Sequence, residues 1–495
     1  MKKLVTLMMV GTLVLLWTGS PALWAADGDT EAQLQALQTR VAQLEAQLNK
    51  QGSNAELLKG MVAQMDSAPT HVAADSALTA GYDKRFFIKS ADDQFKLEFD
   101  TRLQFRHTYG MSDDGANDMM QDGTRPPIGT GGVDSSASAF ELERAKLYLR
   151  GHVLKDINYN ICFEADDDAD DSDSALYTYE VSYNFMPEMG VRLGRYKGPF
   201  GKQEPTSSGR QMLVDRSLAN EVFNIDRTTG VELFGTLDMG DIKPNYRIML
   251  FNGLQNNDDT PFSENDNSPG VAARLAIPMM GATAKDFVNE SDLKGHDNLV
   301  TQVGFSFAYS NDRNEDHFAG GDGDSYEFLG KNPDGRSDVY ELGGETTLLG
   351  VDFAMKSNGL SVILEGFYQH VDADSGELAF ENDFGTGRSV ADPITGAIID
   401  GCELDNYGWY AQAGYFIVPE KFELVSRVSG VHVDSTNDMY EYAGGWNYYI
   451  SGQDLKLSMD VSYIDDLPIT SGSANFDGVQ NNSLFMVRTQ LQFQF

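Results

Sequence analysis

From Asp83 onward, apolar and polar residues alternate along the chain with a period of two. In residues 483–495, Phe485, Val487, Thr489, Leu491, Phe493 and Phe495 share one face, opposite Met486, Arg488, Gln490, Gln492 and Gln494. This periodicity predicts a strand, long enough to cross a bilayer, which takes about 9 to 11 tilted residues. In residues 95–106, Phe95, Leu97, Phe99, Thr101, Leu103 and Phe105 oppose Lys96, Glu98, Asp100, Arg102, Gln104 and Arg106. The pattern returns at 157–163, 177–185, 299–309 and 407–417. Alternation alone fits a soluble sandwich or a membrane barrel, because both have one apolar face per strand.

The connections separate the two. Sixteen strands are predicted, near residues 95, 145, 160, 180, 193, 230, 248, 273, 304, 350, 364, 411, 426, 444, 459 and 489. Short turns at 155–156, 187–190, 356–359, 419–421 and 451–454 alternate with long loops at 110–139, 165–174, 198–225, 254–269, 310–344, 371–403 and 465–482. An even count with loops sorted by parity predicts an outer-membrane barrel with short periplasmic turns. Residues 278–298 break the rule, either as an insertion or as a slip in register. The last strand must pair with the first, placing Phe495 at the periplasmic rim.

The segment before the barrel has a different period. Lys2 and Lys3 precede an apolar run over 4–17 and a small-residue patch ending Ala25-Ala26, which reads as a signal peptide over 1–25. Leu34, Leu37, Val41, Leu44 and Leu48 then alternate spacings of three and four, continuing through Ala55, Leu58, Val62 and Met65. This heptad pattern predicts a self-associating coiled coil over 29–66; an amphipathic helix lying on the barrel is the alternative. Residues 67–81 read as a linker and 82–495 as the barrel. The expected fold is all-β, a 16-stranded antiparallel transmembrane β-barrel preceded by a short N-terminal coiled-coil helix.

Composition adds the sign of the charge. The formal charge of −38 argues against nucleic acid as a partner. The acidic excess sits in the long loops, as in Asp166, Asp167, Asp168, Asp170, Asp171 and Asp173, a solvated run or a site for divalent ions shared with lipopolysaccharide. Basic residues lie within strands instead: Arg102, Arg106, Arg144, Lys146, Arg150, Arg192, Arg247, Arg274, Arg427 and Arg488. Charge on the lipid face costs about 2–4 kcal/mol at the midplane, so these residues should face the lumen. There they either guide anions or pair with Glu98, Asp100, Glu141, Glu143 and Glu232. Cys162 and Cys402 both fall at the long-loop end, and whether they pair stays open. The scattered histidines form no Ser/His/Asp or metal-spaced set, so no enzyme activity, metal or cofactor is expected.

The third long loop differs from the rest. Residues 194–223 read GRYKGPFGKQEPTSSGRQMLVDRSLANEVF, with Lys197, Lys202, Arg210 and Arg216 against Glu204, Asp215 and Glu221, and with apolar Met212, Leu213 and Val214. Such a loop suits the inside of the barrel better than water. The Gly-Arg-x-Lys-x-Pro-Phe-Gly segment with Asp215-Arg216-Ser217, followed by Phe251-Asn252-Gly253, Gly350-Val351-Asp352, Glu365-Gly366-Phe367 and Trp446-Asn447-Tyr448, resembles the phosphate-selective porins O and P. The resemblance implies a homotrimeric channel whose third loop narrows the pore, with Lys197, Lys202, Arg210 and Arg216 as constriction residues. Phosphate selectivity itself is not implied, since basic and acidic residues are mixed here. A terminal aromatic strand also resembles the signal that barrel-assembly machinery reads.

The function expected is therefore passive diffusion of small hydrophilic solutes, with a preference for anions such as phosphate, across the outer membrane of a Gram-negative bacterium. The competing reading is a structural barrel, held in outer-membrane lipid and lipopolysaccharide, whose coiled coil tethers the envelope.

Overall fold

A computed structural model of the chain describes residues 78–112, 136–165, 176–252, 269–312, 340–341, 344–373, 379–380, 403–432, 438–467 and 482–495. The signal peptide, the coiled coil, the linker up to residue 77, the Asp166–Asp173 run and Cys402 lie outside these residues. Two compact units divide the chain: Met1–Thr79 with Lys89–Gln94, and Ala80–Ile88 with Phe95–Phe495. In the first, Ser90 Oγ donates to Asp92 at 2.6 Å and accepts from the Gln94 N–H at 3.1 Å, closing a tight turn.

The second unit is the barrel. Its strands are β1 Phe95–Ser112, β2 Ser136–Val153, β3 Ile157–Ala165, β4 Leu176–Met186, β5 Met189–Lys197, β6 Arg227–Thr236, β7 Asn245–Phe251 and β8 Gly270–Met279. They continue as β9 Val300–Asp312, β10 Gly344–Ser357, β11 Leu360–Ala373, β12 Glu403–Val418, β13 Phe422–His432, β14 Met439–Ser451, β15 Leu455–Leu467 and β16 Asn482–Gln494. Each pairs antiparallel with its neighbours, and β16 pairs with β1 from Leu484↔Ser112 to Gln494↔Arg102. The Thr101 N–H donates to Phe495 O at 2.8 Å and the Phe495 N–H returns to Thr101 O at 3.1 Å, so the terminal residue completes the seam.

The alternation sets which face each side chain takes. On β1, Asp100, Arg102, Gln104 and Arg106 are buried inside, while Phe99, Leu103, Phe105 and Tyr109 stand exposed on the outer face. On β16, Arg488, Gln490 and Gln492 are buried, with Leu491 and Phe493 outside. One bulge alters the count. The register shifts between Gln104↔Arg144 and Phe105↔Leu142, leaving Glu143 as the extra residue and bringing it to 2.9 Å from Arg106 and 3.0 Å from Arg144.

Turn chemistry follows the same logic. Asn358 and Gly359 both have positive φ, 50° and 80°, the backbone of a two-residue hairpin whose twist matches its strands. Residues 280–299 resolve the sequence ambiguity as an insertion: β8 and β9 pair without a slip from Val271↔Tyr309 to Met279↔Thr301.

Candidate functional site

The third long loop, residues 198–226 and here termed L3, runs inside the barrel. An irregular backbone in such a place must find partners for its N–H and C=O groups. Wall carboxylates supply them. Glu365 accepts from the N–H groups of Lys202 at 2.5 Å and Gln203 at 3.3 Å, Asp460 from Val214 at 3.0 Å, and Glu441 from Leu218 at 3.0 Å. Cationic and amide side chains take the carbonyls. Lys456 donates to Gln211 O at 3.0 Å, Asn447 to Met212 O at 2.7 Å, and Arg427 to Asp215 O at 2.9 Å and Arg216 O at 2.7 Å.

Apolar side chains seat the loop. Phe200, Met212, Leu218, Val222 and Phe223 join Leu348, Ile363, Phe367, Val425 and Val431 of the wall in one buried cluster. Phe223 stacks on Phe367 with centroids 5.7 Å apart and planes at 17°. Helix α1, Leu218–Val222, is capped by Ser217, whose hydroxyl accepts from the Asn220 N–H. Glycine on β12 makes the room: a Cβ on Gly408 would lie 2.2 Å from the Phe223 ring, and one on Gly414 2.5 Å from Met212 Sδ.

Asp215 is the electrostatic hub. Its carboxylate lies 3.1 Å from Arg106, 3.2 Å from Arg488 and 3.6 Å from Arg144. Burial alone would raise its pKa; Arg106, Arg488, Arg144 and Arg216 outweigh it and hold the group at about 2. Glu204 is a second hub, pairing with Lys197, with Arg216 at 2.9 Å and with Asn220 at 3.0 Å.

The structure sorts the residues expected from the sequence into two groups. Arg102, Arg106 and Arg488 point inward but are buried by L3, and Lys202 of L3 is itself buried, its Nζ directed at Phe287 O and Gln302 rather than at open space. Arg274 and Arg427 are likewise taken up by Asp352 at 2.6 Å and Glu441 at 2.5 Å. Arg144, Arg150, Arg192, Arg247, Lys197 and Arg216 remain partly accessible, with side-chain exposures of 14 to 26%. Of the carboxylates expected to pair with these residues, Asp100, Glu143 and Glu232 do so. Arg150 meets Asp100 at 2.8 Å and Arg247 meets Glu232 at 2.6 Å; Glu141 takes a hydrogen bond from Thr108 and Glu98 pairs with Arg85.

In four of the pairs around L3 and the β2–β7 wall the cation is the more exposed partner. Side-chain exposure is 26% for Arg150 against 1% for Asp100, and 22% for Arg247 against 0% for Glu232. Lys197 and Arg216 keep 16% and 14% against 4% for Glu204. Glu180, at 21% beside Arg192 at 25%, is near balance, and the order reverses in Asp226–Arg227, Glu143–Arg106, Asp215–Arg106, Asp215–Arg488 and Glu164–Lys146, where the acid is the more exposed partner.

Arg210 has no ion-pair partner among the described residues. It lines a cavity of about 380 Å³ of mixed charge, with Lys84 and Arg85 beside Asp83, Asp100 and Asp454. Burial, then the neighbouring guanidiniums of Arg102, Arg150 and Arg85, push its pKa down. Sequence reasoning missed the stacks of Arg227 and Lys146 on the Tyr177 ring, at 3.6 and 3.7 Å. A second bulge between Cys162 and Phe163 makes Tyr177 the extra residue, and no period of two can show that. Cys162 itself is buried and has no disulfide partner among the described residues.

A family model, phosphate-selective porin O and P, matches residues 127–495. None of the curated proteins compared with the chain matches it. Among solved structures, the fold is similar to the anion-selective porin from Comamonas acidovorans, at 12% identity over 81% of this chain and 100% of that one, TM-score 0.46. It is similar also to the outer-membrane channel DcaP of Acinetobacter baumannii, at 10% identity over 84% and 100%, TM-score 0.44. A third is the trimer form of OmpT from Vibrio cholerae, at 9% identity over 81% and 100%, TM-score 0.41. With the family match running from the first long loop to the final strand of a closed barrel, the chain belongs to the phosphate-selective porin O and P family, as an outer-membrane channel of a Gram-negative bacterium for passive diffusion of small hydrophilic solutes.

Proposed function

We propose that the channel favours small anions, inorganic phosphate among them, and that L3 with the wall of β2–β7 forms the constriction. The observation that carries this reading is the unequal exposure within the ion pairs, since a solute meets Arg150, Arg247, Lys197 and Arg216 before it meets their carboxylates. Charges seen across a narrow, partly desolvated passage are screened less than in bulk water, so a modest bias in exposure becomes a bias in permeation. Arg210, without an ion-pair partner among the described residues, adds a cation to a neighbouring cavity whose lining also carries Asp83, Asp100 and Asp454. Lys202 supports the loop and does not face the solute.

The heptad pattern of 29–66 supports a homotrimer, with the apolar outer face of the barrel in outer-membrane lipid and lipopolysaccharide. Reversal potential of the purified channel in a planar bilayer under a salt gradient is the test. An anion-favouring sign is expected; a cation-favouring sign, or no conductance at all, would overturn the reading.

A further inference from the structure

Residues 280–299 join β8 to β9 at the end of the barrel where every other described turn has eight residues or fewer. The inserted turn is built into the barrel floor. Asp286 Oδ2 accepts from the Thr283 N–H at 2.8 Å and from its hydroxyl at 2.9 Å. Lys356 of β10 donates to the carbonyls of Asp286 at 2.7 Å, Asn289 at 2.7 Å and Ser291 at 3.0 Å. Ser291 Oγ donates to Glu423 at 2.9 Å, and Asp292 accepts from the Gly359 N–H at 2.8 Å. Glu290, Ser291 and Asp292 retain only 1 to 2% exposure.

Fixed in this way, the turn presents Glu290 to L3. Glu290 Oε2 accepts from the Met212 N–H at 2.7 Å and from Gln412 Nε2 at 2.9 Å, while Oε1 accepts from Gln203 Nε2 at 3.3 Å. The Glu290 N–H donates to Arg210 O at 3.1 Å, and Lys202 Nζ reaches Phe287 O at 3.4 Å. The other carboxylates that hold L3 backbone, Glu365, Asp460 and Glu441, sit on strands; Glu290 alone sits on a turn. Its contacts bracket residues 203–212, the stretch that carries Glu204 and Arg210.

We propose that the inserted turn is a periplasmic latch on the constriction loop, with Glu290 as the residue that positions Arg210 and Glu204 in the passage. The proposal rests on reading L3 as the constriction. Without Glu290, the Met212 N–H and the Gln203 amide are left buried and unpaired. The loop then reaches water only by leaving its seat. The latch thus keeps the channel in one open level.

The test is single-channel recording of wild type, E290A and E290Q in planar bilayers, with folding checked beforehand by heat-modifiable gel migration. Wild type should show one quiet open level. E290A should fold and spend at least about ten times longer in a second conductance level. Glutamine has a single oxygen, so E290Q leaves Gln203 or the Met212–Gln412 pair without an acceptor and should fall between the two. Folded E290A with wild-type conductance, noise and reversal potential would overturn the latch. If E290A gives no folded barrel, E290Q decides alone: raised second-level occupancy supports the latch, while a wild-type trace or an unfolded protein refutes it. A wild-type protein that conducts nothing would instead remove the channel reading, before any variant is compared.

Discussion

Replacing Asp215 by asparagine keeps the shape of the L3 hub and removes its charge. The carboxylate faces Arg106, Arg488 and Arg144 within 3.6 Å and is 9% exposed, so solvent screens these pairs little. Its pKa, held at about 2 against an ordinary 3.8, corresponds to roughly 2–3 kcal/mol of preference for the ionised state. D215N should cost the seated loop about that much, because buried guanidiniums lose their counter-charge. The loop keeps the two Arg427 bonds to Asp215 O and Arg216 O, so it should loosen without detaching. Two readouts follow. Reversal potential in a salt gradient should move further toward anions, since Arg144 at 16% exposure is released toward the passage, and open-channel noise should rise. If folded D215N kept both the wild-type reversal potential and the wild-type noise, Asp215 would be neither anchor nor part of the pore field.

E204Q removes the charge shared by Lys197 and Arg216, and anion preference measured by reversal potential should increase; a decrease would contradict the exposure argument. G408V places side-chain atoms where even a Cβ lies 2.2 Å from Phe223, costing about 1–3 kcal/mol of overpacking. It should change conductance, whereas G444A, with nothing nearer than 3.8 Å, should not. Asp215 and Asp286 both have folded-state values of about 2, below the ordinary 3.8. Their contributions are therefore complete above about pH 4 and fade as pH falls through about 2. Selectivity recorded from about pH 7 down to about pH 4 should hold steady for these groups, and a change centred near neutral pH would assign the constriction to other residues.

The strands were legible because a period of two needs only local reading, and loop parity then identified the barrel. The inward course of L3 was legible from Met212, Leu213 and Val214, apolar residues in a segment otherwise rich in charge. What the loop covers was not. Alternation says that Arg102, Arg150 and Arg488 share the inner face; it cannot say that Ser208 of L3 lies over Arg102 at 3.1 Å while Arg150 stays open. The acids that fasten the loop are equally hidden. Val214 and Asp460 are 246 residues apart in sequence, and Leu218 and Glu441 are 223 apart. Residues 278–298 stood out as too long for a turn, but nothing local showed that Glu290 reaches L3.

Those acids bear on why a chain with 75 Asp and Glu against 37 Lys and Arg can present cations to a solute. A loop buried inside a barrel brings backbone N–H groups that water cannot reach, and carboxylates are the strongest acceptors for them. Glu365, Asp460, Glu441 and Glu290 meet that need and are thereby hidden at 1 to 4% exposure. The carbonyls, needing fewer partners, draw on Arg427, Lys456 and Asn447. Lys197, which also donates to Glu204 O at 2.9 Å, Arg216 and the arginines of β2–β7 nevertheless keep part of their surface accessible. On the proposed reading, the sign of the pore is set by which charges the loop covers, not by net composition. A variant that pairs the loop's N–H groups with neutral acceptors, such as E441Q, should leave the solute-facing charge unchanged. Reversal potential should therefore respond to E204Q and not to E441Q. Equal shifts in the two would mean that carboxylates behind the loop act on the solute after all.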